Sequence, residues 1–332
     1  MKVTGSATSI SWIPSEAVTG PTKATFGLGI SHYDSPPPDV ITDLEGLCAA
    51  DGFRFANRLT VTAEFDGDRL VSHDVEGGIV MGATTVNVAK LGATFEAVSL
   101  PDLRAPVEKG PGWVRVTQTC GGRTALPLPR PVRHPPFVKL QAPIVWTTIA
   151  LTLHSDGRTE VALPSASRFP RHWVYDTDGK LVLKTALAEY HEWMAHSFGK
   201  RTPWGNDDSQ VVTTAAETAL ERDLSTRIMR ADATHDVHKL DAGTVLAKQG
   251  DPGDELYLLL DGVLSVDVDG ESVAELGPGA VVGERAVLEG GRRTSTLTAS
   301  TRAKVAAVAA ADIDLDRLRE LAEGHNRESA DS

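Results

Sequence analysis

The stretch Val282–Ala299, VGERAVLEGGRRTSTLTA, has the composition of a site for a negatively charged ligand. Gly283 lets the backbone turn and approach a ligand closely. The amides of the short helical turn that follows, near residues 286–287, can point at an anion. Arg293 can donate two parallel hydrogen bonds to phosphate oxygens, and Glu284 can accept a hydrogen bond from a sugar hydroxyl. The stretch therefore predicts a site for a phosphate that is joined to a sugar.

Short strands and tight turns precede this stretch from Lys239 onward. The turns are marked by Asp-Gly and Gly-Pro pairs, among them Asp261-Gly262 and Gly277-Pro278-Gly279. Such pairs are typical of tight connections between short strands. The pattern predicts a roll of short β-strands that ends in the anion site.

The roll and the site together resemble the cyclic nucleotide-binding domains of the cAMP-dependent kinase regulatory subunits and the bacterial catabolite activator family. The resemblance rests on the Gly283-Glu284 start, the ten-residue step to Arg293, the T-x-T-L-x-A that follows, and QGDPGDELYLLLDGVLSV from Gln249 to Val266. It implies a jelly-roll-like cyclic nucleotide-binding β-roll. It also implies that the ligand is cAMP or cGMP and that no further cofactor or metal is needed.

The resemblance implies particular roles for the residues of the site. Glu284 accepts from the ribose 2′-hydroxyl, and Arg293 pairs with the cyclic phosphate. Arg285 either points to solvent or adds a second cation near the phosphate, and a hydroxyl at Thr294 contacts the purine in some related domains. The sequence does not choose between cAMP and cGMP. The predicted ligand-binding residues are Gly283, Glu284, Arg285, Ala286, Val287, Arg293, Thr294 and Ser295.

The composition narrows the class of protein further. The 332 residues have a formal net charge of -12, which argues against a general nucleic-acid binder. We find no apolar run near the ~20 residues that a membrane helix needs and no secretory signal. Cys48 and Cys120 are too few for a disulfide framework. We therefore expect a cytoplasmic protein with no membrane partner.

The first half of the chain reads almost wholly as strands. Turn pairs such as Asp66-Gly67, Asp156-Gly157 and Asp178-Gly179 separate apolar or alternating segments. This spacing predicts a β-barrel or a β-sandwich of no family that we recognise. The cluster Arg168–Trp173, RFPRHW, either lines a pocket for an acidic ligand or covers apolar surface at one end of the fold.

Two helices are expected between the halves. Leu181 to Phe198 and Gln210 to Met229 both place apolar residues at helical spacing. The sequence thus predicts a mainly β protein with connecting helices. We expect a β-rich domain over residues 1–180, a helical connector over 181–230 and a cyclic nucleotide-binding domain over 231–332. The resemblance implies that the helix before the roll moves when ligand binds.

Three functions are compatible with this organisation. The first is a cyclic-nucleotide sensor that signals through its N-terminal domain, to another protein or within a self-dimer. The alternatives are an enzyme in the N-terminal domain under control of the sensor, or a regulator like the catabolite activator that acts through a partner. Residues 313–321 resemble the helix that follows the roll. We expect no helix-turn-helix after it, and therefore no direct binding to DNA.

Overall fold

The computed structural model describes the chain except for residues 15–16, 19–22, 24–33, 54, 83, 89–90, 96, 124–127, 134, 199–201, 206–210, 231–235, 289–290, 310–315, 317 and 323–332. The chain divides into two compact units, Met1–Val212 and Thr213–Ser332. Residues 181–212, which the sequence analysis placed in a connector, fall within the first unit. Both units are built mainly from antiparallel strands, so the prediction of a mainly β protein with connecting helices is confirmed.

The first unit contains strands β1 to β15 and two short helices. The strands are β1 (Lys2–Trp12), β2 (Phe55–Asp66), β3 (Arg69–Met81), β4 (Thr84–Val88), β5 (Leu91–Phe95), β6 (Val98–Ser99), β7 (Leu103–Arg104), β8 (Glu108–Gly110), β9 (Trp113–Arg123), β10 (Leu128–Pro131), β11 (Val138–Gln141), β12 (Ile144–His154), β13 (Thr159–Ala166), β14 (Arg171–Tyr175) and β15 (Leu181–Thr185). The helices are α1 (Leu44–Ala49) and α2 (Tyr190–His196).

Two antiparallel sheets of this unit share one core. One sheet contains the order β15-β14-β1-β2-β3, and the other contains β13-β12-β9-β6 with β7 and β8 also paired to β9. Leu59 and Val61 of β2 are buried in the same cluster as Ile149 and Leu151 of β12. Because alternate residues of each strand point to the same face, these side chains meet between the sheets. The sequence predicted either a β-barrel or a β-sandwich, and two sheets that share one core form a β-sandwich.

A polar contact also links the two sheets inside the core. Asn57 of β2 donates from Nδ2 to the carbonyl oxygen of Thr147 at 2.9 Å. Gln118 of β9 donates from Nε2 to Asn57 Oδ1 at 3.0 Å. Both amide side chains are fully buried. Since a buried polar group is costly unless it is hydrogen-bonded, these contacts fix how the sheets align.

The first predicted connector helix, from Leu181 to Phe198, is wrong in its N-terminal half. Residues 181–185 form β15, in which Lys184 lies opposite Trp173 of β14. Helical structure begins only at Tyr190 and ends at His196. Pairing with an existing sheet edge has outweighed the helical spacing of the apolar residues.

Among its described residues, the second unit contains strands β16 to β24, two numbered helices and a short helical segment at residues 318–322. The strands are β16 (Thr213–Ala215), β17 (Asp236–Leu240), β18 (Val245–Ala247), β19 (Glu255–Asp261), β20 (Leu264–Val268), β21 (Glu271–Leu276), β22 (Val281–Val282), β23 (Thr296–Ala299) and β24 (Ala303–Ala309). The helices are α3 (Ala219–Arg230) and α4 (Glu284–Leu288). The sheets run in the orders β17-β24-β19-β22 and β18-β23-β20-β21, which is the predicted jelly-roll-like β-roll.

Helix α3 is shorter than the predicted helix from Gln210 to Met229, and Gln210 itself lies outside the described residues. Thr218 and Glu221 form a capping box at its start. Glu221 donates from its backbone N to Thr218 Oγ1 at 3.3 Å, and its Oε2 accepts from the backbone N of Thr218 at 3.0 Å. This reciprocal pair satisfies amides that have no partner within a helix, so the helix begins there.

A helix was predicted at residues 313–321. Most of its first half lies outside the described residues, and residues 318–322 are helical. Leu318 and Leu321 are buried in the same apolar cluster as Leu224 and Ile228 of α3. In the part of the chain that the structure describes, no helix has the length and apolar character needed to cross a membrane.

Buried His172 makes the stability of the first unit depend on pH. Its Nε2–H donates to the carbonyl oxygen of Ser167 at 2.7 Å, and Nδ1 accepts from Ser11 Oγ at 2.6 Å. Burial lowers the pKa of His172 to about 4 from 6.5, against the opposing effect of the hydrogen bond to Ser167. The unfolded chain therefore binds a proton first as the pH falls, and stability is lost between about pH 6.5 and pH 4.

We predict that this loss amounts to about 3 kcal/mol of the free energy of unfolding. His172→Gln should be less stable at pH 7 but should lack this part of the pH dependence. Urea unfolding, monitored by tryptophan fluorescence at several pH values, measures the free energy of unfolding of the wild type and the variant. Equal pH dependence in the wild type and the variant would contradict the assignment.

Candidate anion-binding site

Gly283 sets the geometry of the site at the junction of β22 and α4. Its φ of +94° lies in the left-handed region, which side chains other than hydrogen rarely tolerate. A Cβ at this position would lie 2.6 Å from Nη1 of Arg293 and 3.0 Å from the carbonyl oxygen of Glu255. Glycine is therefore required both by the backbone conformation and by the close approach of the arginine.

The stretch Val282–Ala299, called the cassette below, is tied near its far end to the loop before β19. Gly253 donates from its backbone N to the carbonyl oxygen of Gly291 at 2.9 Å. Arg293 donates to the carbonyl oxygen of Asp251 at 2.8 Å and accepts from the N of Gly250, also at 2.8 Å. These main-chain bonds hold Arg293 against the loop regardless of its side chain.

The guanidinium of Arg293 is buried against β19, with 7% of the residue exposed. Nη1 donates to the carbonyl oxygen of Glu255 at 2.7 Å, and Nη2 donates to the hydroxyl of Tyr257 at 3.3 Å. Its Cζ lies 5.0 Å from the centroid of the Tyr257 ring. At this distance the positive charge is attracted to the face of the ring.

Tyr257 connects the guanidinium to a carboxylate. Its hydroxyl donates to Oε2 of Glu255 at 3.3 Å while it accepts from Arg293. Burial raises the pKa of Tyr257, the charge of Arg293 opposes that shift, and Glu255 adds to it. The phenol is neutral at physiological pH, as tyrosine ordinarily is, and the upward shift does not change this, so it can donate and accept at once.

The charge of Arg293 is not neutralised within the part of the chain that the structure describes. The acceptors of its two side-chain hydrogen bonds are a carbonyl and a hydroxyl oxygen, and no described carboxylate lies within 4.0 Å of the guanidinium. A buried charge is costly unless it is paired, and a guanidinium has five N–H donors. The arrangement is therefore suited to receive an anion with several oxygen acceptors.

The other predicted site residues differ in exposure. Glu284 and Ala286 are buried at 7% and 2% exposure, and Thr294 is exposed. Arg285, Val287 and Ser295 are half-buried. The structure brings Gly283 and Arg293 into contact, and Glu284 follows Gly283 directly at the start of α4.

Neighbouring Arg292 has a different environment. It is exposed, and its Nη1 donates to the carbonyl oxygen of Gly250 at 2.7 Å. Since adjacent arginines differ in this way, Arg292 is a matched control for Arg293.

Sequence reasoning did not identify Gly253, Glu255 or Tyr257 as parts of the site. A Cβ at Gly253 would lie 2.1 Å from Nε of Arg293, so this glycine is as closely apposed to the guanidinium as Gly283 is. A signal was present, because side chains two residues apart in a strand share a face. Glu255 and Tyr257 stand in that relation in β19, next to the G-D-P-G-D turn.

The cluster Arg168–Trp173 of the first unit is largely engaged within the fold. Arg168 forms an ion pair with Glu189 at 2.6 Å. Phe169 packs against Tyr190 and Trp193, with ring centroids 5.2 and 5.0 Å apart. Among the described residues no group of three or more His, Cys, Asp or Glu side chains is placed to hold a metal ion.

Comparison with known proteins agrees with the geometry of the second unit. Residues 237–315 match the family model described as cyclic nucleotide-binding domain. The C-terminal third of the chain therefore carries a domain of the cyclic nucleotide-binding family, as the sequence resemblance predicted. A cyclic nucleotide-gated potassium channel of Mesorhizobium japonicum is 36% identical over 74 residues, which are 22% of this chain and 20% of the channel. The chain thus spans about a fifth of that relative's length.

Two solved structures also align with the chain. One is a cyclic nucleotide-binding domain from Methylobacillus flagellatus, with 23% identity, 34% of this chain and 77% of that chain covered, and a TM-score of 0.30. The other is the N-terminal domain of a transcriptional regulator from Streptomyces coelicolor, with 27% identity, coverages of 32% and 83%, and a TM-score of 0.26.

We predict that Gly253→Ala displaces the guanidinium of Arg293 and lowers stability, because the displaced group loses its hydrogen bonds to Glu255 and Tyr257. The added Cβ would lie 2.1 Å from Nε and 2.4 Å from Cζ, and the flexible side chain yields more easily than the backbone. A crystal structure of the variant and its thermal unfolding measure the two effects.

Gly250→Ala is the control for backbone strain in the same loop. Its φ is +88°, but a Cβ there meets no atom within 4 Å. It should lower stability by about 1 kcal/mol and leave Arg293 in place. If the guanidinium does not move in Gly253→Ala, the space between residue 253 and Arg293 is wider than the structure indicates.

Proposed function

We propose that the protein is a cytoplasmic sensor that binds cAMP or cGMP at residues 283–295 and transmits the binding event to the rest of the chain. The proposal is carried by one observation, the buried guanidinium of Arg293 that has no carboxylate partner among the described residues. The match of residues 237–315 to the cyclic nucleotide-binding family supports a cyclic phosphate as the missing anion.

In this proposal the residues of the site act on different parts of the nucleotide. The free N–H donors of Arg293 bind equatorial and axial oxygens of the cyclic phosphate, and the amides of Ala286 and Val287 add donors on the same group. Glu284 accepts from the ribose 2′-hydroxyl. The exposed hydroxyl of Thr294 lies next to Arg293 in sequence and is available to the purine. Arg285 and Ser295 border the same site.

We predict that Arg293→Ala lowers the affinity for the cyclic nucleotide by roughly 10- to 100-fold, since charge-assisted hydrogen bonds contribute ~1.5–3 kcal/mol each. Calorimetric titration of the full chain with cAMP and with cGMP measures the affinity and also identifies the preferred base. The exposed neighbour in Arg292→Ala should change the affinity by less than about threefold, because a solvated charge contributes little. Wild-type affinity in Arg293→Ala would refute the site.

Transmission is proposed to run through the apolar cluster of the second unit. Leu224 and Ile228 of α3 are buried in this cluster, and Val287 and Leu288 of α4 pack against it. Helix α4 begins directly after Gly283, so a shift of α4 on binding would change the packing of α3. A helix that can pack in more than one way is the kind of element whose equilibrium a ligand biases.

We predict that saturating cyclic nucleotide changes amide hydrogen exchange in α3, over Ala219–Arg230. The Arg293→Ala protein at the same nucleotide concentration serves as the control, because its weaker binding should leave the exchange of α3 closer to that of the free protein. Exchange measured by mass spectrometry on the free and the bound protein tests this. If α3 exchanges identically in both states while calorimetry shows binding, α3 does not carry the signal.

A further inference from the structure

We propose that Tyr257 is a positioning residue that sets the affinity for the anion by fixing the orientation of Arg293, without touching the ligand itself. The inference rests on the proposed function of the site and adds a residue to it. It comes from the way in which one tyrosine meets the guanidinium with two different parts of its side chain.

The ring and the hydroxyl of Tyr257 together restrain the guanidinium. The ring face lies 5.0 Å from Cζ of Arg293, and the hydroxyl accepts from Nη2 at 3.3 Å. Nη1 is held separately at 2.7 Å by the carbonyl oxygen of Glu255, two residues earlier on the same strand. Contacts on both terminal nitrogens fix the plane of a guanidinium, which otherwise rotates about several side-chain bonds.

The strand that carries these contacts is an inner strand of its sheet and is mostly buried. β19 lies between β24 and β22 in its sheet, and its residues from Leu256 to Asp261 are buried. The restraint on Arg293 is therefore built on a central strand rather than on a loop. A binding group whose orientation is fixed before the ligand arrives loses less entropy on binding.

Glycines close the remaining sides of the slot. Added Cβ atoms at Gly253 and Gly283 would lie 2.1 Å from Nε and 2.6 Å from Nη1 of Arg293. The guanidinium thus lies between two stretches of bare backbone and one aromatic ring. With this packing the side chain has little room for a second orientation once Tyr257 is in place.

The hydroxyl of Tyr257 also links the guanidinium of Arg293 to the carboxylate of Glu255 through two hydrogen bonds, without a direct ion pair between them. It donates to Oε2 of Glu255 at 3.3 Å. A direct contact between that carboxylate and Arg293 would occupy donors that an incoming phosphate needs. Interposing the phenol stabilises the buried cation and leaves its other N–H groups available.

A double-mutant cycle tests this role. We expect Tyr257→Phe, which keeps the ring, to weaken cAMP binding by roughly three- to tenfold, and Tyr257→Leu to weaken it more. In the Arg293→Ala background neither change at residue 257 should weaken binding by more than about twofold, because the group that Tyr257 positions is absent. Tyr175→Phe, which removes a buried hydroxyl in the first unit, is the matched control and should bind like the wild type.

Two results of the cycle would overturn the inference. One is wild-type affinity in Tyr257→Phe and Tyr257→Leu alike. The other is an equal loss in both backgrounds, since a residue that only supports the fold acts whether or not Arg293 is present.

A second measurement does not depend on the nucleotide. We expect the side-chain N–H resonances of Arg293 in ¹⁵N-labelled protein to be resolved and slow to exchange with solvent, and to lose this protection in Tyr257→Leu. If wild-type protein binds neither cAMP nor cGMP but Tyr257 still protects these resonances, the proposed ligand is wrong and the positioning role stands. Resonances that Tyr257→Leu leaves unchanged would refute the positioning role itself.

Discussion

The hydrogen bond from Arg293 to the carbonyl oxygen of Glu255 is the contact on which the site depends. At 2.7 Å it joins the end of the cassette to a central strand of the roll, across 38 residues of sequence. The left-handed Gly283 and the bare backbone of Gly253 matter because they let the arginine reach that oxygen. Without this contact the main-chain bonds to the loop would still hold the backbone of Arg293, but Nη1 would no longer be tied to β19.

Burial determines how strongly the charge of Arg293 can interact with an anion. An arginine on the surface binds phosphate weakly, because water screens its charge. Placing the guanidinium under a tyrosine ring, with neutral oxygens as its acceptors, removes that screening while the positive charge remains. In the proposed function the energetic cost of holding such a charge would be recovered when an anion binds, which would couple occupancy of the site to the packing of the elements around it.

The sequence predicted those features whose determining residues lie close together in the chain. Gly283 and Arg293 could be found because the turn and the cassette spacing lie within one short stretch. The spacing of Glu255 and Tyr257 placed both side chains on one face of a strand, but their contact with Arg293 could not be predicted, since it arises from a strand that folds back beside the cassette. The same limit explains the error at Leu181–Thr185, where apolar residues at helical spacing form a strand because the edge of β14 is available to pair with them. Local patterns cannot report such pairings.

A single physical criterion separates the two candidate clusters that the sequence offered. RFPRHW contains cations beside aromatic residues in sequence, whereas Arg293 of the cassette is brought beside Tyr257 only by the fold. In RFPRHW, both ring nitrogens of His172 form hydrogen bonds, one with Ser11 and one with Ser167. Arg168 forms an ion pair with Glu189. These polar groups are therefore paired within the protein. In the cassette, the two side-chain hydrogen bonds of Arg293 end on uncharged oxygens. Among the described residues Arg293 has no carboxylate partner, and in that respect the cassette differs from RFPRHW.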